Sequence, residues 1–479
     1  MKKTNSHIIS FVLDEEVVSI DFSGEQALSP TTTVLNYLRS LPNHKGCKEG
    51  CAEGDCGACT VVLAKEESKT MRYWAVDACL IFLPMLHGKQ LITVENLGSS
   101  TNLHPVQKAM VEKDGSQCGY CTPGFIMAMF DLYKNYSTPT KEQIDDALTG
   151  NLCRCTGYRS IVDAAQSAGA KKARDQFSEQ AEVKKMLAGI HANNKKLSNG
   201  IQVYHKPSRK QSALQLIQRY PKATIVAGAT DVALRVTKNH EVIPEIIDIG
   251  DIDELKVISA NKNHYIIGAG ASLESIKAFS KEKLPSLYKM LAVFGSKQIR
   301  QLATLGGNLG SASPIGDTTP VLIALKATIV IGGKKGARKV PMHEFILGYR
   351  KSQCKAGELI TEIHIPKSSG GAQIRSYKIS KRKDLDIATV SGGFRLSLDK
   401  SNMPVELMLV YGGMAEVTKR AKKTEAFLLG KVWSRNTIEQ AANLIAADFK
   451  PISDARSSAR GREVMAKNLL LKFWTETNN

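Results

Sequence analysis

The sequence predicts a multidomain α+β protein, and three observations carry that expectation. The chain has 479 residues, which at roughly 100–200 residues per domain means two to four domains. Nine of its ten cysteines lie in the first third, at 47, 51, 56, 59, 79, 118, 121, 153 and 155, and the tenth is at 354. From Ile201 onward the pattern becomes alternating strands and helices. Charge changes along the chain as well. Residues 1–165 hold 15 Lys+Arg and 19 Asp+Glu, whereas the rest hold 50 and 27.

The composition excludes several classes. With 43% apolar and 23% charged residues the chain can bury real cores and is not disordered. No apolar stretch approaches the ~18 residues of a membrane helix. MKKTNSHIISFVLDEE starts basic, but its apolar run is short and ends in acids, so no signal peptide and a cytoplasmic location are expected. The net charge of +19 raises the question of nucleic acid. There is no zinc-finger spacing, RNP-like aromatic motif or basic helix with heptads, and a bound nucleotide's phosphates or an acidic partner explain the charge equally well. Neither nucleic acid nor membrane is expected as a partner.

In chain order, residues 7–22 read as two strands turning at Asp14–Glu16. Residues 33–39 read as a short helix that delivers a cysteine loop, and 61–63, 73–76 and 91–94 as further strands. The loop is Cys51-Ala-Glu-Gly-Asp-Cys56-Gly-Ala-Cys59. C-x4-C-x2-C is the plant-type spacing for a [2Fe–2S] cluster, whose fourth thiolate lies further along; Cys79 is the natural candidate. Gly50, Gly54 and Gly57 permit the turns that aim N–H groups at sulfur. Zinc competes, although zinc sites usually pair their ligands in short knuckles. Cys47 precedes the loop and reads as a bystander.

The second group is Cys118-Gly-Tyr-Cys121 and Cys153-Arg-Cys155. C-x2-C with C-x1-C does not suit zinc. Between the pairs, 125–136 is apolar at helical spacing with Pro123 in its first turn. Residues 140–148 open another helix with Thr140 as N-cap. Residues 166–200 are rich in Ala, Lys, Gln and Ser and read as a surface helix plus a linker.

Beyond Ile201, strands are expected at 223–227, 245–249, 265–269, 327–331 and 359–365. A break follows at 368–371, then strands at 375–380, 388–398 and 405–411 and helices at 418–429 and 437–447. Two Gly-rich turns stand out, Ile225-Val-Ala-Gly-Ala-Thr-Asp231 and Ala303-Thr-Leu-Gly-Gly-Asn-Leu-Gly-Ser311, the second leading to Asp317. Small residues let backbone approach a pyrophosphate, and N–H groups at a helix start bind its oxygens. Neither turn is G-x-G-x-x-G or a P-loop, so spacing alone leaves both as generic turns. The histidines form no ligand set, and no Ser-His-Asp signature is present.

GCAEGDCGACTV (50–61), QCGYCTPGF (117–125) and GNLCRCTGY (150–158) together resemble the iron–sulfur part of the xanthine dehydrogenase group of molybdenum hydroxylases. IVAGATD, FGSKQIRQLATLGGNLGSASPIGD (294–317) and YKISKRKDLDIA (377–388) resemble the family's FAD domain, and YGGMAEVTKRAKKTEAFLLGK (411–431) its C-terminal flavoprotein domain. The resemblance implies a β-grasp, ferredoxin-like [2Fe–2S] domain at 1–97, a helical [2Fe–2S] domain at 98–167 and a linker at 168–197. An α+β FAD-binding domain of PCMH type at 198–370 and an α/β flavoprotein domain at 371–479 follow. Cys51, Cys56, Cys59 and Cys79 would hold one cluster, and Cys118, Cys121, Cys153 and Cys155 the other.

By the same resemblance, Val226, Ala227, Gly228, Ala229, Thr230 and Asp231 would follow the FAD pyrophosphate and ribityl chain, and Phe294 would lie against the adenine or its ribose. Thr304, Gly307, Asn308 and Ser311 would form the second phosphate loop, and Asp317 would accept from the adenosine part. Ile360 would pack near the isoalloxazine and Lys378 would sit near its rim. Ala229 departs from the larger polar residue often found there. Tyr349 and Arg382 are candidates for a flavin or NAD role and equally for plain surface residues.

The resemblance implies no catalytic residue on this chain, which corresponds to a bacterial small subunit. Hypoxanthine or xanthine would be hydroxylated on a separate large molybdopterin-binding subunit, two of each forming a heterotetramer. Electrons would pass to the 118/121/153/155 cluster, then the 51/56/59/79 cluster, then FAD and NAD+. The alternatives are the equivalent chain of an aldehyde or N-heterocycle hydroxylase, and a stand-alone iron–sulfur flavoprotein.

Overall fold

The computed structural model describes residues 6–24, 27–170, 174–191, 193–367 and 370–478. Residues 1–5 of the basic start, and Ser368 and Ser369 of the expected break, lie outside the described residues. The rest falls into two compact units. The first holds Met1–Ala213, Lys222–Ile252 and Gly295–Ala303; the second holds Leu214–Pro221, Asp253–Phe294 and Thr304–Asn479.

The first unit begins with a mixed sheet of β1 (Ile8–Leu13), β2 (Glu16–Asp21), β3 (Thr60–Glu67), β4 (Thr70–Asp77) and β5 (Gln90–Ile92), in the order β2-β1-β5-β3-β4. β1 and β5 run parallel and the other neighbours antiparallel. The inward residues Ile9, Phe11 and Leu13 are buried at alternate positions, the period of a half-buried strand. β3 and β4 form a longer hairpin than the apolar runs suggest. It closes on Ser68 and Lys69, both left-handed at φ 49° and 68°, as a two-residue turn requires at both central positions. The helix Val34–Ser40, capped by Thr33, packs Val34, Leu35 and Leu38 on this sheet.

Helices Pro105–Glu112, Thr122–Asn135, Lys141–Leu148 and Arg159–Ala170 build the helical part. Thr140 caps its helix with a reciprocal Gln143 contact, the capping-box geometry. Pro123 stands in the first turn of its helix, where a missing N–H costs nothing.

The connector is more structured than a solvated linker. Its helix Ala181–Ala188 buries Val183 and Leu187 with Val12. Its end, β6 (Lys195–Ser198), is an edge of a second sheet, β6-β7-β9-β8, with β7 (Val203–Lys206), β8 (Thr224–Val226) and β9 (Glu245–Asp248). Its sequence, Lys-Lys-Leu-Ser, holds a single apolar residue, the buried Leu197, which conceals the strand because an edge strand carries little of the apolar pattern.

The second unit has a sheet of β10 (Ile258–Ala260), β11 (His264–Gly268), β12 (Thr328–Gly333), β13 (Gly336–Pro341) and β16 (Leu359–Pro366), ordered β10-β11-β16-β12-β13. A small pair, β14 (Ile346–Gly348) and β15 (Lys351–Ser352), precedes β16. An antiparallel sheet follows, β17 (Gln373–Ile379), β18 (Val390–Leu398), β19 (Pro404–Gly412) and β20 (Lys419–Arg420). The helix expected at 418–429 is shorter, Lys422–Leu428, because its first residues pair with β19. The 19-residue helix Ala459–Thr477 was not expected from the sequence; its apolar residues mix with charges and show no clean stripe. Among the described residues no helix is long and apolar enough to cross a membrane.

Candidate cofactor site

The first thiol set is delivered by the loop after the Val34–Ser40 helix and by the single turn Ala78–Leu80 after β4. Cys59 and Cys79 are buried in the sheet's core, and Cys51 and Cys56 are half-buried. Backbone N–H groups of Glu53 and Asp55 donate to Cys51 Sγ at 3.4 and 3.3 Å. Cys56 also donates to Cys51, and these donors hold the Cys51 thiol down at about 5. Cys59 donates to Cys79 and is pushed up by that bond and by burial. Cys47 is buried, and its Sγ donates to Cys59 O at 3.4 Å.

The second set lies where the Thr122–Asn135 helix begins and in the 151–157 turn. Cys118 and Cys155 are exposed, Cys121 and Cys153 half-buried. Cys155 donates to Cys118, whose thiol is lowered chiefly by the Tyr120 N–H. Burial, then the bond to Cys153, pushes Cys121 up to about 12. Among the described residues no group of three or more His, Cys, Asp or Glu is set to hold a metal ion; the thiols meet in pairs. Four thiols per set, with N–H groups aimed at sulfur, fit thiolate ligation of a cluster.

Direct hydrogen bonds join the loops of the first unit. Leu152 N–H donates to Cys56 O at 3.0 Å. Tyr120 Oη donates to Glu49 O at 2.5 Å. Lys238, just past the helix that follows the 226–231 turn, donates to Cys51 O at 3.2 Å and pairs with Glu53 at 3.5 Å. Sequence reasoning assigned no role to Tyr120, Asn151, Lys238 or Gln298. Only their position inside or beside the quoted motifs could have signalled them.

The first Gly-rich turn leaves β8 at the buried Val226, whose carbonyl accepts from Ile249 N–H at 2.8 Å. A Cβ on Gly228 would stand 1.7 Å from Leu302 O, so packing within the protein already demands glycine there. Ala229 is buried and left-handed at φ 60°. Asp231 ends the turn at the helix Val232–Thr237 and makes no side-chain cap. Ala227 and Thr230 complete the turn.

The second turn belongs to the other unit. Its polar side chains serve the turn itself. Thr304 Oγ1 accepts from Gly307 N–H at 3.1 Å, Asn308 Oδ1 accepts from Thr318 Oγ1 at 2.6 Å, and Ser311 Oγ donates to Asn308 O at 2.8 Å. Gly307 and Gly310 leave one face of the short helix Leu305–Gly310 bare and exposed. Ile360 Cδ1 lies 3.9 Å from where a Gly310 Cβ would be. Lys378 Nζ pairs with Asp317 Oδ2 at 2.7 Å and donates to Val293 O at 3.0 Å. Burial raises the Asp317 carboxyl, and its Oδ1 is buried without a hydrogen-bond partner. A bare glycine face and an orphaned buried acceptor are each features that a nucleotide fits. Phe294 is half-buried; Tyr349 and Arg382 are exposed.

Comparison with known proteins agrees with these features. Residues 93–166 match the [2Fe-2S] binding domain, 196–368 the FAD binding domain in molybdopterin dehydrogenase, and 375–477 the CO dehydrogenase flavoprotein C-terminal domain. The fold and site thus define a 2Fe–2S and FAD oxidoreductase chain of the molybdenum hydroxylase class. A carbon monoxide dehydrogenase structure from Hydrogenophaga pseudoflava is 25% identical, covering 56% of this chain and 94% of that one at TM-score 0.53. Quinoline 2-oxidoreductase from Pseudomonas putida 86 is 26% identical, covering 57% and 95% at 0.52. The xanthine dehydrogenase of Emericella nidulans is 32% identical over 92% of this chain and 36% of its own length. Xanthine dehydrogenase 1 of Arabidopsis thaliana is 31% identical over 92% and 38%. The chain belongs to the xanthine dehydrogenase family and spans less than two fifths of the length of these two relatives.

Proposed function

We propose that this chain is the electron-transfer part of a xanthine dehydrogenase. It works with a molybdopterin-binding subunit that hydroxylates hypoxanthine and xanthine, two of each per assembly, and its electrons go to NAD+. Cys51, Cys56, Cys59 and Cys79 hold one [2Fe–2S] cluster and Cys118, Cys121, Cys153 and Cys155 a second. Val226 to Asp231, Phe294, Thr304, Gly307, Asn308, Ser311, Asp317, Ile360 and Lys378 serve FAD. When bound, these groups supply one-electron carriage and two-electron exchange with a nicotinamide. The domain limits 1–97, 98–167, 198–370 and 371–479, joined by 168–197, belong to this reading.

The observation that carries it is the direct bonding of the two cysteine loops to each other, and of the first to Lys238 beyond the first Gly-rich turn, inside one compact unit. The chain's residues position and insulate. Core burial shields Cys59 and Cys79 from water, whereas Cys118 and Cys155 stand exposed where a partner can meet them. The likeness to carbon monoxide dehydrogenase and quinoline 2-oxidoreductase supports a second reading, the same role beside a different molybdenum subunit.

The test is co-purification of the full chain with its molybdenum partner, followed by metal, flavin and substrate assays. The expected result is two iron pairs and one flavin per chain, reduced by xanthine and by NADH. Reduction by quinoline or carbon monoxide but not xanthine selects the second reading. Zinc, or a spectrum without flavin bands, overturns both.

A further inference from the structure

Asn151 and Gln298 are buried amides, 2% and 0% exposed, and both belong to the first unit. Gln298 Nε2 donates to Asn151 Oδ1 at 2.8 Å. Asn151 Nδ2 donates to Gly57 O at 3.0 Å and to Thr60 Oγ1 at 3.2 Å. Thr60 Oγ1 in turn donates to Gly57 O at 2.7 Å. The chain of bonds therefore runs from the Lys297–Leu302 helix, through the turn before Cys153, into the loop between Cys56 and Cys59.

The backbone around the pair admits nothing larger. A Cβ on Gly57 would stand 2.4 Å from both Asn151 Nδ2 and Gly150 O, and one on Gly150 would stand 2.1 Å from Gln298 Oε1. Gly57 is also left-handed at φ 65°. Two ion pairs hold the same helix on the same unit, the buried Lys297 to Asp131 at 2.6 Å and Arg300 to the half-buried Asp146 at 2.7 Å. Buried amides in a connected network have no water to substitute for a lost partner, so they fix one geometry. A cluster of side chains that only filled space would not need amide polarity at 0–2% exposure.

We infer that Asn151 and Gln298 are positioning residues that set the spacing and orientation of the two cysteine sets. Asn151 sits two residues before Cys153 and bonds the residue after Cys56. Any shift of its amide moves both loops together. The inference rests on the proposed cluster ligation and goes beyond it, because it concerns how the two sites are held to one another.

The test uses the full chain. Gln298→Met keeps length and bulk and deletes the donor to Asn151. Thr60→Val is a milder, isosteric change at the other end, and Thr60→Ser restores the hydroxyl. Iron and flavin contents are measured first; if the wild type itself lacks two iron pairs, the ligation reading has failed and not this one. With contents normal, Gln298→Met should change the magnetic splitting between the two reduced iron sites. It should also slow electron passage from NADH-reduced flavin to the second set several-fold. Thr60→Val should do the same to a smaller degree and Thr60→Ser should match the wild type. A lower melting temperature with unchanged splitting and rate, in either variant, would make the pair ordinary packing and overturn the inference. If Gln298→Met does not fold, the Thr60 pair decides by the same readouts.

Discussion

The two cysteine sets use the same chemistry in opposite settings. The first is sunk in a sheet's core, with Cys59 at 2% and Cys79 at 0% exposure. The second sits at the surface of a helical bundle, with Cys118 and Cys155 exposed. A buried site is protected from water and reagents and carries the full cost of disturbing a core; an exposed one is accessible and cheap to alter. The chain thus keeps one set inside and the other at its surface, with the Asn151 network bonding the loops that carry them.

The sharpest way to break this comparison is thiol alkylation after iron removal. Cys118 has a lowered pKa and needs no opening, whereas Cys79 reacts only when the core opens. A native stability of at least 5 kcal/mol implies a rate ratio on the order of 10³ or more. Mass spectrometry of the alkylated peptides reads it. Equal labelling would show that the first set's core is not closed.

The region around the second set has its own buried anchor. Asp175 accepts from His104 at 3.1 Å and Lys134 at 2.9 Å, all under Phe130 and Phe177. Asp175→Asn should cost about 3–5 kcal/mol, the typical loss when one partner of a buried pair is removed, measured by denaturant unfolding. A cost below about 1 kcal/mol would mean the pair is effectively solvated.

Acid should separate the two regions. Burial, with nearby Lys195, depresses the His87 pKa to about 4. His87 lies in the first set's domain, with Nε2 against His191 O at 3.2 Å. The folded state favours neutral His87, so its contribution is complete above pH 6.5 and is lost as pH falls toward 4, roughly 2–3 kcal/mol. Asp175 is shifted below the ordinary carboxylate range despite burial, by His104 and Lys134. Its contribution is therefore complete above about pH 3.8 and is lost only in stronger acid. Unfolding followed by hydrogen exchange across pH 7 to 3 should show the β1–β5 sheet weakening first. His87→Gln should flatten that early loss.

The smallest effect is expected at Tyr120, half exposed, whose hydroxyl bridges the two cysteine loops through Glu49 O. Tyr120→Phe should cost about 0.5–1 kcal/mol, with both iron contents unchanged. A larger loss would mean the surface contact, not the buried amides, ties the loops.

Some of this was legible from residues alone because it is local. The Thr140 cap, Pro123 in a first helical turn and the strand pair of residues 7–22 are properties of short stretches, and each appears where expected. The β6 edge strand and the Ala459–Thr477 helix were not legible, since neither carries a periodic apolar signal. Both are formed by what they pack against.

Taken alone, the sequence pointed to the class of cofactor chemistry: to iron–sulfur because thiolate spacing is ligand geometry written in a few consecutive residues, and to a flavin only through the family resemblance of its Gly-rich segments. Tertiary structure alone decided which thiols are buried. It decided that Gly228 must leave room for the Leu302 carbonyl. It also decided that Lys378 is held by Asp317. Asn151 meets Gln298 across 147 residues of chain. No local pattern encodes such a meeting, because the partners of a buried polar group are chosen by where packing leaves them without water.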